Sequence, residues 1–595
     1  LMSKNSNLFD VKLFKRLLNY VLIYKTVFIF VAISAILISI FSTLTPYLIK
    51  VAVDDYLALG KYQDFIYLII FMFFNLILTV LFMFLFSYYA NLLGQKVIYD
   101  IRVQLFKHIL DFRMSYFDKS SVGRLVTRAV NDMETIASIF SQGLFMIAAD
   151  LMQMTLVIVV MLFLSWKLSL TVFIILPFIL FATRKFQKSM KIAFNEVRSE
   201  VANLNSFVQE RITGMKIVQL FNREKIEYDN FVKINEKHKK AWLKTVWYNS
   251  IFFPIAELST SITIGLIVWF GGLNAISENS SITLGTIFLF IQLSQMLFRP
   301  LRQIADKFNT LQMGMVAANR IFKIIDTTSN IPDFGTKNED LIDGKIVFKN
   351  TSFSYIENEK VIKNLSFEIN NGEKIAIVGS TGSGKTTIVS LISRFYEVQN
   401  GSIFIGNHNI KDYKLQSLRS RIALVLQDVF LFADTILNNI TLWDSSISFD
   451  SVVNAAKKIG IHDFIMSLPD GYNYNVKERG VMLSQGQRQL ISFLRAYIKN
   501  PSILILDEAT SSIDSNSEEL IQNATEKITE NKTSIIIAHR LSTILNSDRI
   551  FVMSQGMLVE QGTHKELVAK KNGYYKDLYE IQFQKEKIIE AQFQV

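Results

Sequence analysis

The sequence predicts an all-α domain of six membrane-spanning helices with long cytoplasmic extensions, followed by an α/β domain built on a P-loop. Long apolar stretches of about 20 residues or more, the length that a bilayer core requires, fill the chain before Asn330. After Asn330, short β-rich runs alternate with helical segments, and a glycine-rich loop follows one of the strands. The 595 residues are enough for two large domains.

Composition supports a membrane part joined to a soluble part. Half of the residues are hydrophobic, 48 are Phe, and only 19% are charged. The net charge of +11 follows membrane topology, because Lys and Arg concentrate in alternate connections, and this argues against a nucleic-acid partner. The absence of cysteine from the sequence excludes disulfides, zinc–thiolate sites and a catalytic cysteine.

Six apolar segments are predicted to span the membrane. They are Val21–Ile49, Phe65–Ala90, Ile136–Ser165, Leu168–Thr183, Ile251–Leu273 and Ile282–Phe298. The connections after the first, third and fifth are short, including a turn at Trp166-Lys167, whereas those after the second and fourth are long and basic. The positive-inside rule therefore places both termini in the cytoplasm. A basic amphipathic stretch at residues 8–18 either lies on the inner membrane surface or simply leads into the first span.

The two long connections are predicted to be helices rather than loops. Residues 91–135 and 184–245 contain few Gly and no Pro, and their apolar residues recur at helical spacing. Such helices extend far into the cytoplasm, with turning tips near 113–123 and 210–217 that are placed to touch a soluble domain.

Domain boundaries follow from the change of pattern. We expect a transmembrane domain at 1–325, a linker at 326–343, a nucleotide-binding domain at 344–582 and a tail at 583–595. Strands are predicted in a largely parallel sheet. They are Ile346–Tyr355, Lys374–Val378, Ile422–Leu426, Ile503–Leu506, Ser534–Ala538 and Arg549–Met553.

The glycine-rich loop carries the clearest chemical signal. It comprises Gly379, Ser380, Thr381, Gly382, Ser383, Gly384, Lys385 and Thr386, with Thr387 next in the helix that follows. Backbone N–H groups of such a loop surround phosphates, the Lys385 ammonium reaches the outer phosphates, and the Thr386 hydroxyl ligates Mg²⁺. The sequence therefore predicts a site for ATP with Mg²⁺.

A second strand ends in two carboxylates. The apolar run 502–506 precedes Asp507 and Glu508. The carboxyl end of a parallel strand faces the ligand in such sheets, so Asp507 is predicted to hold Mg²⁺ and Glu508 to act as general base toward the attacking water.

Residues 483–489, Leu-Ser-Gln-Gly-Gln-Arg-Gln, resemble the signature motif of ATP-binding cassette proteins. The order of the remaining motifs matches across essentially the whole chain. The first cytoplasmic tip, with Phe117-Asp118, Gly123-Arg124-Leu125, Arg128 and Asn131-Asp132, is similar to that of MsbA-like bacterial lipid and multidrug exporters. The resemblance implies a half-transporter that hydrolyses ATP to drive export.

The resemblance also implies residue roles. Tyr355 is expected to stack on adenine, Gln427 to sense Mg²⁺ and water, and His539 to contact the γ-phosphate. Asp514 is expected at the dimer seam, and residues 477–480 at the helices of the partner. Ser484, Gly486 and Gln487 of one copy are expected to close over the P-loop of the other.

One position departs from the family pattern, which has Gly where this chain has Gln485. The side chain either points away from the nucleotide or marks one half of a heterodimer. We favour a homodimer because Glu508 and His539 are both present.

The cargo is not specified by any motif. Asp150 and Glu257 lie in apolar surroundings, so they either line a path for cationic or amphipathic cargo or sit harmlessly at the inner interface. An exporter of lipid, drug-like or other amphipathic compounds in a bacterial inner membrane is the leading hypothesis. An importer of the same fold and a membrane protein that uses ATP only as a ligand are the alternatives, and the hydrolytic residues argue against the last.

Overall fold

The computed structural model describes residues 11–58, 60, 62–276, 282–338, 344–507, 515–538 and 541–580. These residues divide into two compact units. The first contains the described residues up to Asp111 and those from Ser120 to Thr328. The second contains Phe112–Lys119 and the described residues from Ser329 onward.

Up to Ile325 the described chain is helical, as the sequence predicts. The α-helices are α1 (Val11–Ile23), α2 (Lys25–Val51), α3 (Tyr62–Leu110), α4 (Met114–Lys119), α5 (Val122–Thr127), α6 (Met133–Ser138), α7 (Phe145–Leu164), α8 (Trp166–Thr213), α9 (Met215–Leu220), α10 (Glu224–Ala275) and α11 (Leu284–Ile325). Segments of π-helix at Ala52–Leu57, Arg128–Asp132 and Ile139–Leu144 continue or join these helices.

Six helical stretches among the described residues are long and apolar enough to cross a membrane. They are Lys25–Leu57, Gln63–Leu110, Val122–Leu164, Trp166–Thr213, Glu224–Ala275 and Leu284–Leu301. The six predicted spans are therefore confirmed by length and composition. The 49 residues of α3 measure about 73 Å, more than twice the thickness of a bilayer core, so the long extensions are continuous with the spans.

The predicted turn between the third and fourth spans was misplaced. Trp166 and Lys167 lie in the first turn of α8, and the chain reverses at Ser165, whose backbone is extended (φ −160°, ψ 102°). The Ser165 hydroxyl accepts a hydrogen bond from the backbone N–H of Leu168 at 3.4 Å and caps the helix. A serine N-cap satisfies an N–H group that the first helical turn leaves unpaired, which is why the reversal falls at Ser165.

Helices α8 and α10 form an antiparallel hairpin. Phe186 stacks on Phe252 with ring centroids 4.0 Å apart, and farther along Lys244 donates to Glu196 at 2.6 Å. At the far end the Arg211 guanidinium donates to Glu227 at 2.6 Å. The hairpin turns through α9, close to the predicted second tip.

Residues 112–119, which include most of the predicted first tip, belong to the second unit. The α3 helix ends at Leu110, and the backbone N–H of Arg113 donates to the carbonyl of Ser329 at 2.7 Å. Phe112 and Asn330 form an isolated antiparallel bridge beside this bond. The chain that enters the second unit is thereby fixed to its own first tip.

The second unit is α/β, as predicted. Its strands are β1 (Ile346–Ser354), β2 (Lys360–Ile369), β3 (Lys374–Gly379), β4 (Asn400–Ile405), β5 (His408–Asn409), β6 (Ile422–Val425), β7 (Ile503–Asp507), β8 (Thr533–Ile537), β9 (Arg549–Ser554) and β10 (Met557–Gly562). Its remaining α-helices are α12 (Lys385–Ile392), α13 (Leu415–Ser420), α14 (Ile436–Thr441), α15 (Phe449–Lys458), α16 (His462–Met466), α17 (Gln485–Ile498), α18 (Ser515–Thr529), α19 (Leu541–Leu545) and α20 (His564–Ala569).

The strands form two sheets. Five parallel strands, with antiparallel β10 at one edge, give the order β10-β9-β3-β8-β7-β6, and an antiparallel sheet has the order β2-β1-β4-β5. The P-loop strand β3 is central in the larger sheet, which places its loop in the middle of the sheet's carboxyl edge. The sequence analysis found five strands of the larger sheet and β1, but missed β2, β4, β5 and β10.

Two of the hydrophobic cores in this unit anchor the helices of the P-loop and the signature motif. One is shared by both sheets and α12, and includes Phe348, Ile377 and Phe551. The other packs α14–α18 on the far face of β6, β7 and β8, and includes Leu490 and Phe493 of α17. The P-loop helix and the signature helix are thus anchored in separate cores of one domain.

Candidate functional site

The P-loop joins β3 to α12 in a conformation that only glycine adopts readily. Gly384, the N-cap of α12, has φ +101°, and a Cβ there would lie 2.7 Å from Ile362 Cδ1. A Cβ at Gly379 would collide with the carbonyl oxygen of Met553. Any larger residue at either position would push the loop away from the sheet.

Lys385 lies across the inside of the loop. Its ammonium donates to the carbonyls of Gly379 at 2.7 Å and Ser380 at 3.1 Å, and the residue is 8% exposed. Burial lowers the pKa of Lys385, and the nearby Asp507 carboxylate opposes that shift. Among the described residues the acceptors of this buried cation are backbone carbonyls, and a phosphate oxygen is a far better acceptor.

Some hydroxyl side chains of the loop are buried inside it, and others are exposed to solvent. Ser383 is 2% exposed, and its hydroxyl has no hydrogen-bond partner among the described residues. A buried unpaired hydroxyl is costly, so this atom fits a polar ligand in the loop. The side chains of Thr381 and Thr386 are exposed, and Thr386 in the first turn of α12 is free to face a metal ion.

Tyr355 is held beside the P-loop helix. Its hydroxyl donates to the Thr387 hydroxyl at 3.2 Å, and its ring makes edge contacts with Phe353 and Tyr396 at 4.9 and 5.0 Å. The side chain remains 41% exposed. One face of a fixed aromatic ring is therefore open next to the phosphate loop, as stacking on a base requires.

Sheet register aligns Asp507 with the start of the P-loop. Ile377 of β3 and Asp507 of β7 both pair with Ile537 of β8, so the three residues form one row. At about 4.8 Å per strand, Asp507 lies about 10 Å across the sheet from Ile377, level with the approach to Gly379. The carboxylate is 7% exposed.

Gln427 follows the neighbouring strand. Val425 of β6 pairs with Leu506, so Gln427 lies just beyond the row at the same carboxyl edge, and its side chain is exposed. Lys385, Thr386, Asp507 and Gln427 thus share one edge of the sheet. A cation, a hydroxyl, a carboxylate and an amide are the groups that hold phosphate and Mg²⁺ in nucleotide sites.

The signature motif begins α17 with a capping box. The Ser484 hydroxyl accepts from the N–H of Gln487 at 3.2 Å, and the Gln487 side-chain oxygen accepts from the N–H of Ser484 at 2.9 Å. Gly486 is buried in the first turn. A helix N-terminus with an exposed hydroxyl attracts anions, because its first N–H groups and its dipole carry partial positive charge.

Comparison with known proteins decides the family. Residues 28–301 match the family model described as ABC transporter transmembrane region, and residues 362–511 match the one described as ABC transporter. An uncharacterized ABC transporter ATP-binding protein of Bacillus subtilis is 36% identical over 571 residues, 96% of this chain and 94% of the relative. The chain belongs to the ATP-binding cassette transporter family.

Two further relatives have functional names. An ATP-dependent lipid A-core flippase of Syntrophus aciditrophicus is 37% identical over 84% of this chain and 82% of the relative. A putative multidrug export ATP-binding/permease protein of Staphylococcus aureus is 37% identical over 83% of this chain and 86% of the relative. This ABC transporter is a multi-pass membrane protein that binds ATP and hydrolyses it to drive transport, and its half-transporter architecture requires dimerisation.

Three candidate site residues of the ABC transporter lie outside the described residues: Glu508, Asp514 and His539. Their roles stay predictions from sequence. Glu508 directly follows Asp507, and His539 directly follows Ala538, whose N–H donates to the carbonyl of Ile377 at 3.2 Å.

Gln485 follows Ser484 as the first residue of α17. The exposed Gln485 side chain lines a 580 Å³ cavity together with Gln427, Glu478 and Arg479. The sequence analysis did not foresee that the position departing from the family pattern adjoins Gln427. The extra side chain therefore lies beside a residue that the sequence analysis assigns to Mg²⁺ and the attacking water.

Arg488 is a residue whose role the sequence analysis missed. Its guanidinium donates to the carbonyls of Leu483 at 2.9 Å and Gly480 at 3.3 Å, and so ties the loop 477–480 to the signature. That loop is held in unusual backbone conformations, with φ +59° at Lys477 and +55° at Arg479. The signal that could have predicted this role was the presence of an Arg inside the signature motif.

The two intramembrane acids differ in their surroundings. Asp150 of α7 accepts a hydrogen bond from Lys307 of α11, and both side chains are largely buried, at 22% and 16% exposure. The carboxylate therefore has a counter-ion within the chain. The Glu257 side chain of α10 is exposed in the chain.

Proposed function

We propose that this ABC transporter exports lipid, drug-like or other amphipathic substrates from the cytoplasm or inner leaflet, by alternating between inward- and outward-facing states. The lipid A-core flippase and the multidrug export protein among its relatives support this direction and this substrate class. An importer of the same fold is the alternative. Sided vesicles separate the two, because ATP supplied to exposed ATP-binding domains drives an exporter's substrate into inverted vesicles and an importer's substrate out of them.

The observation that carries the ATP-dependent part of the proposal is that Lys385 and Asp507 lie at the same carboxyl edge of the larger sheet. We propose that residues 379–387 hold the phosphates, that Tyr355 stacks on adenine, and that Thr386, Asp507 and Gln427 hold Mg²⁺. Mg²⁺ held by these residues would supply positive charge to offset the negative charge that develops on the phosphates during transfer. Glu508 then orients and deprotonates the attacking water, and His539 contacts the γ-phosphate.

We propose that the second subunit is another copy of this chain. In that dimer, Ser484, Gly486 and Gln487 at the N-terminus of α17 close over the P-loop of the other copy, with Asp514 at the seam. The exposed Ser484 at the N-terminus of α17 supports this arrangement, because its hydroxyl and the first N–H groups of the helix are accessible to a phosphate from outside the chain. We place the dimer in a bacterial inner membrane with both termini and the ATP-binding domains in the cytoplasm.

ATP turnover by the purified chain in lipid nanodiscs tests the proposal, with Glu508→Gln as the matched variant. We expect Mg²⁺-dependent turnover that the substitution abolishes, because the amide cannot act as a base. A folded chain that turns over no ATP alone, but does so when a second half-transporter is added, would show a heterodimer instead.

A further inference from the structure

A polar contact joins the far end of the first span to the start of the sixth. Asp54 lies in the π-helical segment that continues α2, and its side chain is 11% exposed. Its Oδ1 accepts a hydrogen bond from the backbone N–H of Gly285 at 2.8 Å, and its Oδ2 accepts from the Thr283 hydroxyl. The Lys50 ammonium lies 3.2 Å from the same Oδ2. Three donors from two spans therefore surround one carboxylate.

This carboxylate also complements the start of α11. The helix has 42 residues, and its first turn contains no acidic residue of its own. Its first N–H groups carry partial positive charge, which a negative group stabilises. Thr283 accepts from the N–H of Thr286 at 3.2 Å as the N-cap, while its own hydroxyl donates to Asp54. Asp54 therefore completes the cap of α11 from another helix, through hydrogen bonds that its charge strengthens.

The two helices approach this closely because residue 285 is glycine. A Cβ at Gly285 would lie 2.6 Å from the backbone oxygen of Lys50 and 2.7 Å from Oδ1 of Asp54. Such distances are far below van der Waals contact, so a side chain at this position would separate the helices. Separation would also break the hydrogen bond from the Gly285 N–H to Asp54.

Helix α2 is weakened just before it reaches this contact. Pro46 lies inside α2 and has no N–H, so the carbonyl one turn earlier lacks its usual helical donor. The π-helical segment Ala52–Leu57 follows within two turns. Helices bend most often at prolines and at π-helical segments. The end of α2 that carries Asp54 can therefore bend relative to the rest of the helix.

The end of α2 is attached to α3 by contacts of another kind. Leu48 and Ala52 pack with Leu68 of α3 in a buried apolar cluster. Deeper in the span, the amide of Asn75 on α3 donates to the Thr45 hydroxyl at 2.8 Å. The contact with α11 is instead polar and lies at the membrane surface, where water can replace each partner. Of the two attachments, the one to α11 is the easier to break and re-form.

We propose that Lys50, Asp54, Thr283 and Gly285 form an outer latch. The latch keeps the outer ends of the first and sixth spans together until ATP is bound between the two copies, and the end of α2 then leaves α11 together with α3. The inference rests on the proposed function, because alternation between inward- and outward-facing states requires outer ends to part. The cytoplasmic position of the termini places this contact on the outer side.

Electron paramagnetic resonance of the full chain in nanodiscs tests the outer latch. The sequence contains no cysteine, so Leu57→Cys and Leu284→Cys provide the only sites for nitroxide labels. Both residues are exposed, at 49% and 60%, and lie on opposite sides of the contact. Dilution with unlabelled chain leaves only the distance within one copy. We expect a short distance without ATP and a longer one when Mg²⁺-ATP is added to Glu508→Gln, which should bind ATP without turning it over.

Variants of the outer latch are compared without ATP. Asp54→Ala should raise the ratio of long to short distances by about 10- to 150-fold, the range for lost hydrogen bonds to a charged group. Gly285→Ala should also raise it, because its Cβ separates the helices while every charge is kept. Asp55 is exposed and takes no part in the outer latch, so Asp55→Ala should change the ratio by less than about two-fold.

Two results would overturn the outer latch: the same distance in Glu508→Gln with and without ATP, or equal changes for Asp54→Ala and Asp55→Ala. The comparison of variants contains no ATP, so it is independent of the test of function. A chain that turns over ATP at an unchanged distance would refute the latch and leave the proposed function standing. A chain that turns over no ATP, alone or with a second half-transporter, but shows the shift for Asp54→Ala would do the reverse.

Discussion

Replacing Ser484 with aspartate should keep the N-terminus of α17 folded and yet abolish ATP turnover. Aspartate is as good an N-cap as serine, so its carboxylate can accept from the N–H of Gln487, as the Ser484 hydroxyl does at 3.2 Å. The same carboxylate would face the γ-phosphate of ATP in the proposed dimer. Two negative charges about 5 Å apart repel by about 3 kcal/mol at an effective dielectric of about 20, enough for a loss of more than about 100-fold.

Alanine at the same position separates the role of Ser484 as the N-cap of α17 from its proposed contact with the γ-phosphate. Ser484→Ala should lower stability by about 1 kcal/mol, the usual value for a lost N-cap. It also removes a hydrogen bond to a charged group worth about 1.5–3 kcal/mol, so turnover should fall by about 10- to 150-fold. Ser448 caps α15 through the N–H of Ser451 at 3.2 Å and is outside the proposed site. Ser448→Ala should therefore match the loss of stability without the loss of turnover.

The assays are thermal unfolding followed by intrinsic fluorescence and Mg²⁺-ATP turnover, both in nanodiscs. We expect wild type and Ser484→Asp to have the same melting temperature and Ser484→Ala to have a lower one. Turnover by Ser484→Asp at the wild-type rate would refute a phosphate contact for this residue. Melting of Ser484→Asp below Ser484→Ala would refute the capping argument.

Three further predictions concern other parts of the chain. Asp150→Asn should lower the melting point by an amount equivalent to about 1–3 kcal/mol, because it removes the carboxylate that pairs with Lys307. Adding Lys307→Gln should restore part of this loss. Equal melting points of the single and double variants would contradict the pairing. Gln485→Gly should change ATP turnover by less than about three-fold, since the hydrogen bonds between Ser484 and Gln487 that cap α17 do not use the Gln485 side chain. A gain above about ten-fold would show that the side chain obstructs the phosphate site. Burial raises the pKa of Tyr472 to about 12 from 10.0 in the unfolded chain, so its contribution to stability is complete below pH 10 and is lost as the pH rises to 12; a pH series of melting points should be flatter for Tyr472→Phe.

The sequence alone was sufficient to predict those features whose residues lie within one short segment of the chain. The P-loop was predicted because its glycines, Lys385 and Thr386 are contiguous, and the spans because a bilayer demands long apolar runs. The antiparallel strands β2 and β10 were missed. Exposed residues alternate with buried ones in most of β2 and with partly buried ones in β10, and both strands lie at sheet edges where one side faces solvent. Such strands carry a weak signal until their partners are known.

The sequence by itself determined the family, the two fold classes, the six spans and the phosphate-binding loop. Only the tertiary structure decided which distant residues meet. It aligned Asp507 with the P-loop through shared pairing to Ile537, paired Asp150 with Lys307, and brought Asp54 of the first span to the first turn of α11. The physical reason is that hydrophobic periodicity and turn chemistry act over a few residues, whereas charge compensation depends on packing between helices that are far apart in the chain.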